Sequence, residues 1–458
     1  MPVSPARAAA FDILIQVEQE DAYASDLLHS ARFQKLSSAD HGLATELVMG
    51  VLRWRSLLDE RIAQHASRSL DKLDLEVLIA LRLAAYQLLF LGRVPAHAAV
   101  DESVELVKRA RKRSAVPMAN AVLRKLAPVL AQQREHIFPL LSDSPPGSPE
   151  PLAAGQAPER LCRCFAHPLW LVERWVNQFG GEAAQRICNY DQRVPETAIR
   201  LSEPAAETEL EQAGVKLAPG QLLARARRVL LGDVSNTRAF REGRIAIQDE
   251  ASQLVALLVG KGTSILDCCA APGGKTRMLA ERNPGATIVA AELHPHRALL
   301  LRKLVHAETV QVIAADARGL PVSARFDRVL ADVPCSGTGT LARNPEIKWR
   351  LKPDDLADLQ SRQTAILQSA MQHVTPGGRL VYSTCSLERE ENEEVVAKAL
   401  ASDCSFRLLE CRPELEQLRS EGELAWKDLD SLTSGPYLRT IPGVHPGEGF
   451  FAATLQKT

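Results

Sequence analysis

Residues 264–276 read SILDCCAAPGGKT, and this stretch decides the architecture. A short apolar run passes directly into a turn of small residues and then into a helix-compatible segment, the arrangement in which backbone approaches a ligand closely. A phosphate-binding loop of the form GxxxxGKT needs glycine at position 269, where Cys269 stands, and no GxGxxG occurs. Triphosphate and dinucleotide ligands are therefore disfavoured. Downstream, short apolar runs at 287–291, 310–314, 328–331 and 379–383 alternate with helical stretches. That alternation predicts βαβ units and a mostly parallel sheet, an α/β domain of Rossmann-like type over 241–458.

Acidic residues close four of these runs: Asp267 in SILD, Glu292 in IVAAE, Asp316 in VIAAD and Asp332 in RVLAD. One such residue is most often a helix cap or turn residue. Four at successive strand ends converge on the crevice where open α/β sheets hold ligands. Glu292 suits the hydrogen bonds of a ribose diol. A nucleoside carrying a cation fits an acidic crevice better than a polyphosphate does, which points to S-adenosylmethionine as the cofactor.

Two further motifs, DVPCSGTG at 332–339 and YSTCS at 382–386, put Cys335 and Cys385 just past the ends of neighbouring strands. An isolated cysteine is usually a buried small hydrophobe, and Cys162, Cys164, Cys188, Cys268, Cys404 and Cys411 read that way. Pro334 and the small residues around Cys335 argue instead for an exposed turn. The chemistry that needs a thiol beside a methyl sulfonium is methylation of a pyrimidine at carbon 5. A thiolate adding at carbon 6 turns the ring into an enamine whose carbon 5 attacks the methyl group. A second group then helps remove the carbon 5 proton and expel the thiol. An acid near ring nitrogen 3, for which Asp332 is the nearest candidate, stabilises charge as the adduct forms. Spacing alone leaves the order of the two cysteines open.

DCCAAPGGKT, DVPCSGTG, YSTCS and the preceding GRIAIQDEASQ resemble motifs of the RNA 5-methylcytosine methyltransferases. The resemblance implies that Cys385 is the nucleophile and that Cys335 assists release. It also implies that Cys269, Ala270, Ala271, Pro272, Gly273, Gly274, Lys275, Glu292, Asp316 and Asp332 line the S-adenosylmethionine site, with Asp332 and Lys275 also near the base. Glu292 stands where the family more often has Asp, one methylene shorter.

Earlier in the chain, apolar residues from Ala8 to about Leu141 recur at helical spacing, predicting an all-α bundle over 1–141. Within it HGLATELVMGVLRWRSLLDERI resembles the NusB-type RNA-binding domain. Residues 142–158, SDSPPGSPEPLAAGQAP, have linker composition, and 159–240 reads as a small α+β module that contacts RNA. The whole arrangement implies 16S ribosomal RNA as partner, naked or in a partly assembled small subunit. A stacked cytosine cannot present carbon 6, so the target is single-stranded or flipped out. Lys108 to Lys125 hold seven basic residues and no acid, a solvated face or a phosphate contact. Arg225, Arg227 and Arg228 form a smaller cluster. Trp349 fits either base stacking or core packing.

The 55 basic and 56 acidic residues nearly cancel, so any RNA contact is local. Apolar residues at 46% and charged residues at 24% exclude a disordered or collagen-like chain, and no long uncharged apolar segment predicts a membrane span. Nine cysteines without a CxxC pair predict reduced thiols, a cytoplasmic location and no metal site. Oligomeric state is not legible, and a monomer is the default expectation.

Overall fold

The computed structural model describes residues 3–33, 35–137, 157–305 and 307–458. They form two compact units, Met1–Val194 with Leu341–Arg350, and Pro195–Thr340 with Leu351–Thr458.

The first unit is helical. Helix Leu75–Phe90 is apolar on every face, as suits a helix surrounded by others. Pro5–Gln19, Ser38–Arg53, Arg55–Ala63, Ala96–Arg109 and Val116–Ile137 pack around it. Its one buried cation, Arg82, is matched by Asp59 at 2.7 Å and Glu18 at 3.6 Å, because an unpaired charge at such a position is costly. Ser37 caps the second of these helices by accepting from the Asp40 amide. Gly50, in the same helix, lies against the ring of Tyr86, where an added Cβ would fall 1.9 Å from the ring carbon Cζ. Tyr86 is itself held by a hydrogen bond from its hydroxyl to Glu46 at 2.5 Å.

Helices Ala157–Cys164, Leu169–Phe179 and Gly181–Asp191 also belong to this unit, so the module expected at 159–240 is divided. Ala166 enters the helical core, and the Gln192 amide donates to the carbonyls of Arg53 and Phe165. The linker expected at 142–158 lies outside the described residues except for Ala157 and Pro158.

Residues 341–350 join the helical unit as well. The Lys348 ammonium donates to the Arg53 carbonyl at 2.9 Å, Trp349 Nε1 to Leu52 at 2.6 Å, and Arg350 to Val17, Asp21 and Ala22. The Val17, Leu52 and Arg53 carbonyls lie in last helical turns, which lack intrahelical partners and favour cations. Trp349 is half-buried, with its indole N–H held by the Leu52 carbonyl. Burial pushes the Lys348 ammonium down to about 7, although the Asp191 carboxylate opposes the shift.

In the basic run, Lys108 pairs with Glu105, Arg109 with Asp12, and Lys112 with Asp74. Arg111, Arg113, Arg124 and Lys125 are exposed.

The second unit holds two sheets. In the smaller, β1 (Thr197–Leu201), β2 (Lys216–Pro219), β3 (Ala226–Leu231) and β4 (Ile245–Ile247) form an antiparallel sheet ordered β2-β3-β1-β4. In the basic cluster beside it, Arg225 lies 3.8 Å from Glu423 and stays exposed, Arg227 pairs with Glu207 and Arg228 with Glu196.

The larger sheet contains β5 (Ser264–Asp267), β6 (Thr287–Glu292), β7 (Val310–Ala314), β8 (Phe326–Asp332) and β9 (Val374–Thr384). It is completed by β10 (Phe406–Leu409), β11 (Thr433–Ser434), β12 (Tyr437–Thr440) and β13 (Phe450–Lys457). The order β7-β6-β5-β8-β9 is parallel, and β13 adds antiparallel to β9. Both faces are covered, as apolar strands of this kind require. Ile265 packs with Leu254 and Leu258 on one side, and Leu266 with Leu367 and Val396 on the other. The winding reverses between β5 and β8, and open sheets of this type bind ligands at that switch point, beyond the carboxyl ends of the strands.

Among the described residues no helix is long and apolar enough to cross a membrane, and no group of three or more His, Cys, Asp or Glu side chains is placed to hold a metal ion.

Gly50→Ala should destabilise the helical unit by about 1–3 kcal/mol, the usual range for overpacking a filled core. Chemical denaturation of the two proteins, followed by circular dichroism, measures the difference.

Candidate active site

Four strand ends and one helix start build the site. Asp267 closes β5, and the turn that follows is tied to both neighbouring strands: Cys268 N–H donates to Leu330 and Ala270 N–H to Ala291, each at 2.9 Å. The Ala271–Pro272 peptide is cis, and Gly273 adopts a φ of 115°. A Cβ at Gly273 would come within 2.7 Å of the Leu301 side chain, so only glycine suits this position. Helix Gly274–Arg282 starts here, and Thr276 in its first turn latches onto β5 by donating its hydroxyl to Asp267 at 2.7 Å. Burial raises the Asp267 carboxyl to about 7, with the Asp332 charge adding to the effect.

Lys275, from the same first turn, crosses to β8 and donates to Asp332 Oδ2 at 2.7 Å. Burial works against its charge, but the Asp332 carboxylate outweighs burial and the pKa is raised overall, with Cys385 and Asp267 contributing. Its ammonium stands 5.0 Å over the ring of Phe450 from β13. The other Asp332 oxygen accepts the Ser383 hydroxyl from β9 at 2.7 Å.

Past the ends of β8 and β9, the sulfurs of Cys335 and Cys385 lie 3.2 Å apart. The hydrogen bond with Cys385, reinforced by burial, holds the Cys335 thiol well above its ordinary range. The turn between them is close-packed: Gly339 N–H donates to the Cys385 carbonyl at 2.9 Å, and a Cβ at Gly339 would meet the Gly449 carbonyl at 2.3 Å.

Glu292 is buried at the end of β6, where it accepts from the His294 amide at 3.0 Å and has Arg297 at 3.9 Å. Asp316, after β7, caps the short turn Ala317–Gly319 and pairs with Arg318 at 2.6 Å, which lowers its carboxyl pKa. Burial raises the Cys269 thiol.

Direct contacts therefore link Lys275 and Asp332 in one pair and Cys335 and Cys385 in another. Glu292 and Asp316 stand at the same carboxyl edge of the sheet on β6 and after β7. Three contributors escaped the sequence reading. Ser383 lay inside the YSTCS motif without an assigned role. Phe450 lies in the closing segment HPGEGFFAATLQK, which resembles a family segment but gives that residue no role. Glu391 sits in the charged run LEREENEE, which reads as solvated surface, yet it is fully buried.

Comparison with known proteins gives two family matches: residues 254–456 match the family described as 16S rRNA methyltransferase RsmB/F, and residues 4–128 match the NusB family. The Bacillus subtilis (strain 168) protein named probable ribosomal RNA small subunit methyltransferase B is 33% identical, with 100% of both chains covered. The ribosomal RNA small subunit methyltransferase B of Vibrio cholerae is also 33% identical, over 98% of this chain and 97% of that one. The crystal structure of PH0851 superposes with a TM-score of 0.75 over 100% of both chains at 23% identity, a likeness of fold.

Asp267 binds its proton more tightly folded, with a pKa of about 7, than at its ordinary value of 3.8. Its stabilising contribution is complete below the lower value and is lost as pH rises through the upper one. Between about pH 4 and pH 8 the unfolding free energy of the unaltered chain should fall relative to that of Asp267→Asn. Parallel stability curves for the two proteins would contradict a buried, proton-holding carboxyl.

Proposed function

Because this chain belongs to the RsmB/F family of 16S rRNA methyltransferases, we propose that it transfers a methyl group from S-adenosylmethionine to carbon 5 of one cytosine in 16S rRNA, through a covalent Cys385 adduct. The observation that carries this reading is the sulfur pair at 3.2 Å beside the Lys275–Asp332 ion pair. Methylation of an exocyclic amine needs no thiol, whereas addition at carbon 6 needs one.

The residues present suit the cofactor. The turn Cys269–Lys275 is stripped of bulk where Gly273 admits no Cβ, and the buried Glu292 carboxylate is an acceptor for ribose hydroxyls. Asp316 adds a further acidic group at the same edge. S-adenosylmethionine supplies an electrophilic methyl group when bound.

In the reaction, the Lys275 ammonium, which senses the Cys385 charge, stabilises the attacking thiolate. Cys385 Sγ bonds to carbon 6 of the cytosine, and the Lys275–Asp332 pair balances charge developing at ring nitrogen 3. Carbon 5 then takes the methyl group. The leading cause of the raised Cys335 pKa is its hydrogen bond with Cys385, and adduct formation removes that partner's thiol character. Cys335, once it has given its own proton to solvent, accepts the carbon 5 proton as a thiolate while the carbon–sulfur bond breaks and Cys385 leaves as thiolate. The exposed Arg111, Arg113, Arg124 and Lys125 of the NusB-like unit are the phosphate contacts of this reading. The site of action in this reading is the cytoplasm, where ribosomal RNA is assembled into subunits.

Transfer of labelled methyl to unmodified small-subunit rRNA, followed by nucleoside digestion, should yield 5-methylcytidine at one position. Cys385→Ala should lose at least ~10³-fold in rate. Cys335→Ala should accumulate a protein–RNA adduct on a denaturing gel, and an adduct with Cys385→Ala instead would reverse the two roles. Label on tRNA alone would overturn the substrate. No label on any RNA despite cofactor binding would favour a non-catalytic assembly factor.

A further inference from the structure

The backbone pairing of β8 with β9 runs to Asp332 and Ser383, followed by one bond from Val333 N–H to the Ser383 carbonyl. Both cysteines lie beyond that point, where one backbone bond, Gly339 N–H to the Cys385 carbonyl, is joined by side chains in setting the geometry of their turns. Glu391 is placed to do so. It is fully buried in the short turn Arg389–Glu391 that precedes helix Glu393–Ser402. One carboxylate oxygen accepts from the Ser336 amide and from the Gln363 side-chain amide, both at 2.8 Å. The other accepts the hydroxyls of Ser336 and Ser386, each at 2.5 Å.

Ser336 directly follows Cys335, and Ser386 directly follows Cys385. Gln363 also donates to the Pro334 carbonyl at 3.0 Å, so the residues on both sides of Cys335 are tied to one group. The neighbouring Asn392 does the same for Cys385: it accepts from the Thr384 hydroxyl at 2.5 Å and donates to the Ser386 carbonyl at 2.9 Å. The Glu391 backbone carbonyl accepts from Tyr382 of β9 at 2.5 Å. Three of the four donors to this buried carboxylate belong to residues adjacent to the two thiols. Such charge-assisted bonds are shorter and stronger than neutral ones, and removing their acceptor strands buried donors.

We propose that Glu391 is a positioning residue for the cysteine pair, a single carboxylate that clamps the two thiol-bearing turns together and keeps the sulfurs at contact distance. Its catalytic consequence rests on the reading of Cys335 and Cys385 given above, while its geometric content does not. Gln at this position keeps the size but replaces one acceptor oxygen with an amide donor facing two hydroxyls.

The test uses the full chain and two readouts. The first is the rate at which dibromobimane bridges Cys335 to Cys385, scored by fluorescence and by mass mapping of the bridged peptide, with Cys335→Ala as the blank. The second is steady-state methylation. Glu391→Gln should slow bridging and lower kcat by about 10- to 100-fold, the usual effect of a misplacement near 1 Å, with the KM for S-adenosylmethionine unchanged. Should Glu391→Gln fail to fold, the pair Ser336→Ala with Ser386→Ala removes the two hydroxyl donors, leaves the carboxylate its two amide partners, and is expected to give the same pattern. Unchanged bridging in a folded variant overturns the proposal, whatever happens to methylation. If the unaltered chain forms no 5-methylcytidine, the functional reading fails while bridging still decides the clamp.

Discussion

Parallel pairing of β5 with β8, and of β8 with β9, is the constraint on which the site depends. The register sets Asp267 opposite Leu330 and Asp332 opposite Ser383, so three strand ends finish on one side of the sheet. Parallel strands need long crossovers, and this is why the contacting groups come from points as far apart as Asp267 and Phe450. A one-residue slip in β8 would turn Asp332 to the opposite face and separate it from both Lys275 and Ser383.

Burial then gives these neighbours their chemistry. Burial raises the Asp267 carboxyl to about 7, while Asp332 takes the direct contact with Lys275. A buried charge persists only when it is paired or well hydrogen-bonded. Cys335 obeys the same rule as a thiol kept neutral beside a second sulfur. At this edge of the sheet burial raises Asp267, and the hydrogen bond with Cys385 together with burial raises Cys335; shifted groups of this kind are what a general acid–base reaction draws on.

The helical unit is assembled by a different device. Residues 341–350, which follow the Cys335 motif in the chain, end there on open helix carbonyls, with Lys348, Trp349 and Arg350 as donors. Helix-end carbonyls thus account for the place of Lys348, Trp349 and Arg350 in this unit. Arg111, Arg113, Arg124 and Lys125 keep their exposure.

The sequence by itself determined the class of fold and the chemical inventory. Period-2 and period-3.6 patterns, a Gly-rich turn after SILD, acids at strand ends and two cysteines in small-residue turns are local features, and local features survive in a linear string. Helices Ala157–Cys164, Leu169–Phe179 and Gly181–Asp191 group with the helical unit and not with the small sheet, because an amphipathic pattern says that a face is buried, not which partner covers it. Glu391 was invisible for the same reason: a glutamate among glutamates looks solvated until the turn carries it inside to meet two serines 55 and 5 residues away. Tertiary structure alone decided which side chains meet, the 3.2 Å between the sulfurs and the neutral state of Cys335, because distance and dielectric are properties of packing and not of order along the chain.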